Sequence, residues 1–211
     1  MKRKIHTVIF DWAGTVIDYG SFAPIQALLQ AFEEKNIEIT LEEVRKPMGM
    51  HKRDHIKEIL NMDRVQAIWQ DKYSQTANEK DIDTIFEFFE NNLFAYLDEY
   101  TDPIPGVLDL VDELRNRGIK IGSTTGYTSE MMDIVKKHAA TKGYYPDYLV
   151  AADEVKKARP YPYMIYKNLL ALESFPPNQV IKVGDTVSDI LEGKNAGVWS
   201  VGVIKGGSQL G

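Results

Sequence analysis

The chain contains no cysteine in its 211 residues. Disulfide bonds, thiolate metal sites and cysteine nucleophiles are therefore excluded. Basic residues are in deficit. With 25 Lys and Arg against 31 Asp and Glu, the formal charge is −6, which argues against a nucleic-acid partner. No apolar run approaches the roughly 18 residues of a membrane span, so no membrane partner is expected. The start, Met1-Lys2-Arg3-Lys4-Ile5-His6, is basic but lacks the apolar core and cleavage site of a secretory signal. These absences leave a cytoplasmic enzyme, built as one large domain or a domain plus an insert, as the expectation.

What is present speaks loudest near the beginning. Val8-Ile9-Phe10 is a short apolar run of the kind that forms a buried parallel strand, and Asp11-Trp12-Ala13-Gly14-Thr15 follows it directly. Ligands in open α/β sheets bind beyond the carboxyl ends of strands. An aspartate there can attack phosphorus and carry a phosphoryl group. Two places on, Ala13 has no proton to donate.

Residues 21 to about 100 read as almost wholly helical, with apolar residues at helical spacing in Phe22 to Phe32, His55 to Leu60 and Ile82 to Leu97. From Thr101 the pattern alternates. Helices are expected over Val107 to Arg117, Ser129 to Ala140, Tyr163 to Leu172 and Ser188 to Asn195. Strands are expected over Ile119 to Thr125, Tyr148 to Val150, Val180 to Val183 and Val198 to Ile204. Alternation of this kind implies a doubly wound α/β fold with a parallel sheet. The expected organisation is an α/β core from 1–20 and 101–211, with 21–100 inserted as a helical cap.

Four signals fall at predicted strand ends. Asp11 ends the first strand. Ser123-Thr124-Thr125-Gly126 ends the second, offering hydroxyls and N–H groups at a helix start as a phosphate cradle. Arg159 lies in a proline-fixed loop, where it either faces a phosphate or is a surface charge beside Lys156 and Lys157. Gly184-Asp185-Thr186-Val187-Ser188-Asp189 supplies two more carboxylates, although Asp189 could equally cap the helix it begins. A hard cation such as Mg²⁺ takes one or two carboxylates plus other oxygens, and Asp11 and Asp185 suit that description.

These motifs, in this order, resemble the haloacid dehalogenase superfamily, and the resemblance covers essentially the whole chain. It implies a Rossmann-like core, Asp11 as nucleophile, and Mg²⁺ held by Asp11, Asp185 and the Ala13 carbonyl with Asp189 in support. Its phosphatases and mutases usually carry an acid where Ala13 stands. The segment Lys46-Pro47-Met48-Gly49-Met50-His51-Lys52-Arg53-Asp54-His55 resembles the cap signature of the phosphonoacetaldehyde hydrolases, as do Ile17 to Pro24, Gly122 to Tyr127 and Arg159 to Pro162. That resemblance implies a Schiff base between Lys52 and an aldehyde. It implies a substrate site drawing on Ser21, Met48, Gly49, Thr125, Gly126, Tyr127 and Arg159. Serine stands at position 21 where these enzymes commonly carry cysteine.

The chemistry is consistent with that implication. A phosphorus–carbon bond has no leaving oxygen to protonate, so an acid at 13 would be idle, whereas an imine accepts the electrons of the departing carbon. Lys52 must be neutral to attack, against an ordinary pKa of about 10.4. Burial and the cations Arg53, His51 and His55 are expected to lower it, and His55, one turn on, to move protons. Taken as residues alone, Lys52 and His55 could be a solvated helix face, Tyr127 could be packing, and Met48 could belong to the cap core.

Two other functions stay open at this point: a phosphatase or phosphoryl transferase acting on an ester, and an inactive binding partner. The phosphonate substrate is a small molecule. The resemblance further implies a homodimer through cap helices, with Phe22 to Phe32 as candidate face, although the same stripe would serve as cap core. Relatives usually run on past the Gly-x-Ser-x-Leu-Gly motif that matches Gly206 to Gly211. An uncovered sheet edge and lowered stability relative to longer relatives are therefore expected.

Overall fold

The computed structural model describes residues 4–48, 50 and 52–207. Gly49, His51 and the end of the Gly206 to Gly211 motif lie outside the described residues. The chain divides into two compact units, Met1–Ser21 with Asp98–Gly211, and Phe22–Leu97.

The first unit is built on a five-stranded sheet. Its strands are β1 (Thr7–Phe10), β2 (Lys120–Thr124), β3 (Tyr148–Val150), β4 (Val180–Gly184) and β5 (Trp199–Gly202). They lie in the order β3-β2-β1-β4-β5, and every pairing is parallel. All four residues of β1 are buried, as befits a central strand covered on both faces. The ladder continues one residue further, since the Asp11 N–H donates to the Val183 carbonyl at 2.9 Å. Asp11 is thereby held at the carboxyl edge of the sheet by the same hydrogen bonding that builds the strand.

Register decides which side chains share a face. Ile9 aligns with Gly122 on one side and Lys182 on the other. Side chains two residues apart in a strand point the same way, so Thr124 lies on the Lys182 face. Helices α6 (Val107–Asn116), α8 (Tyr163–Ala171) and α9 (Val187–Ala196) pack on the sheet, and α7 (Ser129–Thr141) follows β2. α8 approaches at Gly122, where a Cβ would lie 2.5 Å from Asn168 Oδ1. The fully buried Asn168 uses that space: its Oδ1 accepts from Ser123 N (3.1 Å), and its Nδ2 donates to Ser123 O (2.9 Å) and Met164 O (3.1 Å). At the sheet's edge Trp199 and Val201 of β5 and the following Ile204 are exposed.

The second unit contains α1 (Phe22–Glu33), α2 (Leu41–Arg45), α3 (Lys52–Leu60), α4 (Asp63–Tyr73) and α5 (Glu79–Tyr96). The apolar stripe of α1 (Ala23, Pro24, Ile25, Ala27, Leu28, Ala31, Phe32) is buried, and α1 packs along α5. The stripe expected either to meet a second copy or to serve as cap core thus lies buried within this unit. Helix α2 starts with a capping box in which the Thr40 side chain accepts from Glu43 N and Glu43 reaches back to Thr40 N. Glu43 also pairs with Arg64 of α4, which draws its carboxyl down to about 2 and ties the two helices together. Among the described residues no helix is long and apolar enough to cross a membrane.

Candidate active site

In the first unit the chemistry-bearing side chains converge just past β1, β2 and β4. Asp11 is buried, and its Oδ1 accepts from Arg159 Nη2 at 2.6 Å. Thr15 Oγ1 lies 3.1 Å from Asp185 Oδ1 and 3.4 Å from Asp11 Oδ2, linking the two carboxylates. The turn between them needs Gly14 at φ +81°: a Cβ there would sit 2.5 Å from Ser21 Oγ and 2.7 Å from Asp185 Oδ2. Asp189 enters through the start of α9, where its carboxylate accepts from the Thr186 hydroxyl (2.6 Å) and N–H (3.2 Å).

Arg159 is the hub. Besides Asp11, its guanidinium meets Asp189 Oδ1 through Nη1 (3.0 Å) and Glu192 Oε2 through Nε (3.2 Å). Nη2 also donates to the carbonyl and hydroxyl of Thr124, at 2.8 and 2.9 Å. Behind it the fully buried Lys182 reaches Asp189 Oδ1 (2.9 Å), Glu192 Oε2 (3.7 Å) and Thr124 Oγ1 (3.0 Å). Thr125 is buried, and its hydroxyl accepts from the Tyr127 N–H at 3.1 Å. Gly126 is exposed at the strand end, and Tyr127 is buried. Ser21 is buried with φ +52°.

Burial pushes the Asp11 carboxyl up to about 7, with Arg159 opposing and Asp189 adding to the rise. For Asp189 burial also acts upward, but Arg159, Lys182 and the Thr186 hydroxyl together bring it down to about 2. Burial acts to lower Arg159, and the carboxylates of Asp11, Asp189 and Glu192 outweigh it, holding the guanidinium firmly charged. Burial, with Asp18 and Asp11 nearby, raises the Tyr127 hydroxyl well above its ordinary range.

Asp11, Asp185 and Asp189 each offer an oxygen within 4.8 Å of the others. With every group ionised, the carboxylates of Asp11, Asp185, Asp189 and Glu192 exceed the cations Arg159 and Lys182 by two charges. One divalent cation balances that excess. Both Asp189 oxygens are engaged by Arg159, Lys182 and Thr186, which suits support rather than direct ligation. Asp11 and Asp185 are the better ligands, and an all-oxygen set of this kind fits Mg²⁺.

The second unit holds the other predicted residues. Lys52 opens α3, half-buried, with its Nζ 3.5 Å from Met48 Sδ one turn before it. His55 is fully buried and bonds through Nε2 to the Val44 carbonyl at 2.7 Å. A carbonyl only accepts, so Nε2 carries the proton and Nδ1 is bare, without a partner among the described residues. Burial, with Lys52 nearby, lowers His55 to about 3. The cationic neighbourhood expected around Lys52 is therefore smaller: His55 is neutral, and Arg53 pairs with Glu79 and Asp83, both at 2.7 Å.

The structure thus gathers Asp11, Arg159, Asp185 and Asp189 in one cluster and puts Met48, Lys52 and His55 close in the chain fold of the other unit. Lys182 and Glu192 were not singled out by the sequence, and Thr15 and Thr124 entered only as members of the Asp11 to Thr15 and Ser123 to Gly126 motifs. One signal was available, because Lys182 interrupts the otherwise apolar run Val180 to Val183, and lysine is almost never fully buried unless paired.

The chain matches known proteins along nearly its whole length. Residues 5–197 match the model of the haloacid dehalogenase-like hydrolases. The chain is a hydrolase of that class. Over 208 residues it is 54% identical to the phosphonoacetaldehyde hydrolase of Bacillus cereus (strain G9842), an alignment covering 99% of this chain and 79% of that protein. It is also 54% identical over 209 residues to the bifunctional phosphonoacetaldehyde hydrolase/aminoethylphosphonate transaminase of Clostridioides difficile (strain 630), of which it spans 33%. A crystal structure of a phosphonoacetaldehyde hydrolase-like protein from Oleispira antarctica superposes with a TM-score of 0.91 at 39% identity, over 97% of this chain and 74% of that one. Within its class the chain belongs to the phosphonoacetaldehyde hydrolase family.

Proposed function

We propose that the chain hydrolyses the phosphorus–carbon bond of phosphonoacetaldehyde, giving acetaldehyde and phosphate. The observation that carries this reading is Ala13, two residues from a buried Asp11 whose Oδ1 is gripped by Arg159. A methyl group gives no proton to a leaving alkoxide, so ester cleavage at this site would forgo an acid worth roughly 10²–10⁴-fold. Carbon as leaving group asks for an electron sink instead, and Lys52 supplies one.

In this mechanism the Lys52 amine condenses with the aldehyde, releasing water and forming a protonated imine. Asp11 attacks phosphorus. As the phosphorus–carbon bond breaks, its electrons form a carbon–carbon double bond and the imine electrons move to nitrogen, giving an enamine on Lys52. Protonation at carbon and addition of water release acetaldehyde and restore the amine. A second water cleaves the aspartyl phosphate. Arg159 stabilises charge on the transferring group, with the Thr125 hydroxyl and Gly126 N–H as further donors. Mg²⁺, held by Asp11, Asp185 and the Ala13 carbonyl with Asp189 behind, would neutralise phosphoryl oxygens. His55, buried and neutral, suits a positioning role beside Lys52 better than proton exchange with solvent. Ser21, Met48, Gly49 and Tyr127 complete the proposed substrate site, and residues 22–97 serve as the cap.

The test is borohydride reduction in the presence of phosphonoacetaldehyde. A two-carbon adduct on Lys52, with phosphate and acetaldehyde released in equal amounts by the untreated enzyme, is expected. An unmodified Lys52 under turnover, or phosphate release that survives Asp11→Ala, rejects the mechanism.

A further inference from the structure

We propose that Lys182 and Glu192 are positioning residues for this reaction: with the Thr124 hydroxyl they fix the guanidinium of Arg159 so that Nη2 stays against Asp11. The inference rests on the function proposed above. Arginine has a long side chain, and Arg159 extends from a loop, so nothing in its own backbone sets where the guanidinium stops. Four contacts besides Asp11 do. Glu192 Oε2 takes Nε at 3.2 Å, Asp189 Oδ1 meets Nη1 at 3.0 Å, and Nη2 is held by the Thr124 carbonyl and hydroxyl at 2.8 and 2.9 Å.

The hydroxyl has one proton to give and two lone pairs to offer. It donates to Glu192 Oε2 at 3.2 Å and accepts from Arg159 Nη2 and, at 3.0 Å, from Lys182 Nζ. An ammonium can only donate, so Lys182 forces the hydroxyl proton toward Glu192 and leaves a lone pair for Arg159. Lys182 also shares Asp189 Oδ1 with Arg159. Without it, Asp189 and Glu192 would set two buried negative charges behind Arg159 and pull the guanidinium away from Asp11. The close approach of α9 that this needs is built in: a Cβ on Gly193 would lie 2.3 Å from Ser200 Oγ and 3.1 Å from Lys182 Cβ. Stability alone does not call for such a lattice, since apolar residues often replace buried ion pairs without loss. A misplacement of about 1 Å near the chemistry, in contrast, costs on the order of 10²-fold.

Lys182→Met in the whole chain, assayed with phosphonoacetaldehyde, should lower kcat about 10²-fold in protein that still melts cooperatively. Glu192→Gln, which keeps an oxygen for Nε, should retain activity within about 10-fold. In an Arg159→Ala background, Lys182→Met should cost less than about 3-fold more, because both act through one group. A folded Lys182→Met variant with kcat within about 3-fold of the unmodified chain overturns the proposal, as do losses that multiply in the double variant. Should Lys182→Met not fold, Glu192→Ala takes its place with the same criteria. Crystal structures judge the point without substrate: withdrawal of Nη2 from Asp11 in the variant supports positioning, and an unmoved guanidinium overturns it. If the unmodified chain releases no phosphate, the proposed reaction fails, and the crystallographic comparison alone decides the role of Lys182.

Discussion

Asp11 is placed where its charge is costly, and its replacement should reveal by how much. The buried carboxyl, raised from 3.8 to about 7, takes up its proton more readily in the folded state than in the unfolded chain. Its contribution to stability is therefore intact below pH about 4, is lost as pH rises toward 7, and stays lost above that. Three pH units at about 1.36 kcal/mol each give an upper figure near 4 kcal/mol. Asparagine removes the charge but also weakens the 2.6 Å contact with Arg159, so the expected gain for metal-free Asp11→Asn at pH 8 is about 2–4 kcal/mol. In a chain of this size that is a rise in melting temperature on the order of 10 °C. Differential scanning calorimetry in chelator, at pH 4.5 and pH 8, reads it directly. The difference between variant and unmodified protein should be small at the lower pH and large at the higher. Millimolar Mg²⁺ should stabilise the unmodified protein and leave the variant nearly unchanged. A variant that melts lower than the unmodified protein at pH 8 would refute the reasoning, because the Arg159 pair would then outweigh the burial of charge.

Other consequences can be checked with less. His55, lowered from 6.5 to about 3, must stay neutral in the folded state, so stability should fall by about 2 kcal/mol between pH 6.5 and pH 5, and urea unfolding of His55→Phe should lack that slope. Asn168→Ala strips the partners from the Ser123 N–H and carbonyl and should destabilise by about 2–4 kcal/mol in denaturant melts, with Asn168→Asp no better because the donor is gone. Gly184→Ala would place a Cβ 2.3 Å from Asp189 Cβ, and it should weaken Mg²⁺ binding measured calorimetrically at least tenfold while far-ultraviolet circular dichroism stays unchanged. Lys52→Ala should abolish phosphate release from phosphonoacetaldehyde, measured by colorimetric phosphate assay, yet leave Mg²⁺ affinity intact.

Several elements could be read from the chain because one signal dominated each. Tyr148–Val150 was recovered to the residue, and the expected strand Val180 to Val183 gained only Gly184, since short apolar runs between turns have few alternatives. In α1 seven buried positions make a stripe that no strand pattern imitates. Helix α4 fell within the stretch read as almost wholly helical but was not delimited, because only Val65 and Trp69 are buried along its 11 residues, too thin a stripe to stand out from a polar background. The five-residue α2 is held by its Thr40–Glu43 capping box rather than by periodicity. In the site, Asp11 and Asp185 were visible from their places after apolar strands. Lys182 and Glu192 were not, because what matters about them is that they meet Thr124, which lies 58 and 68 residues earlier in the sequence. The neutrality of His55 was equally hidden: helical spacing beside a lysine suggested exposure, and only the fold shows the Val44 carbonyl waiting for its ring.

The aspartate proposed to accept phosphorus and the amine proposed to take the aldehyde are written on separate stretches of the chain, one before Ser21 and the other within Phe22–Leu97. Under the proposed mechanism, selection or an engineer would therefore have two dials to turn. Rewriting residues 22–97 would change which carbonyl compound is captured and leave the residues around Asp11 as they are.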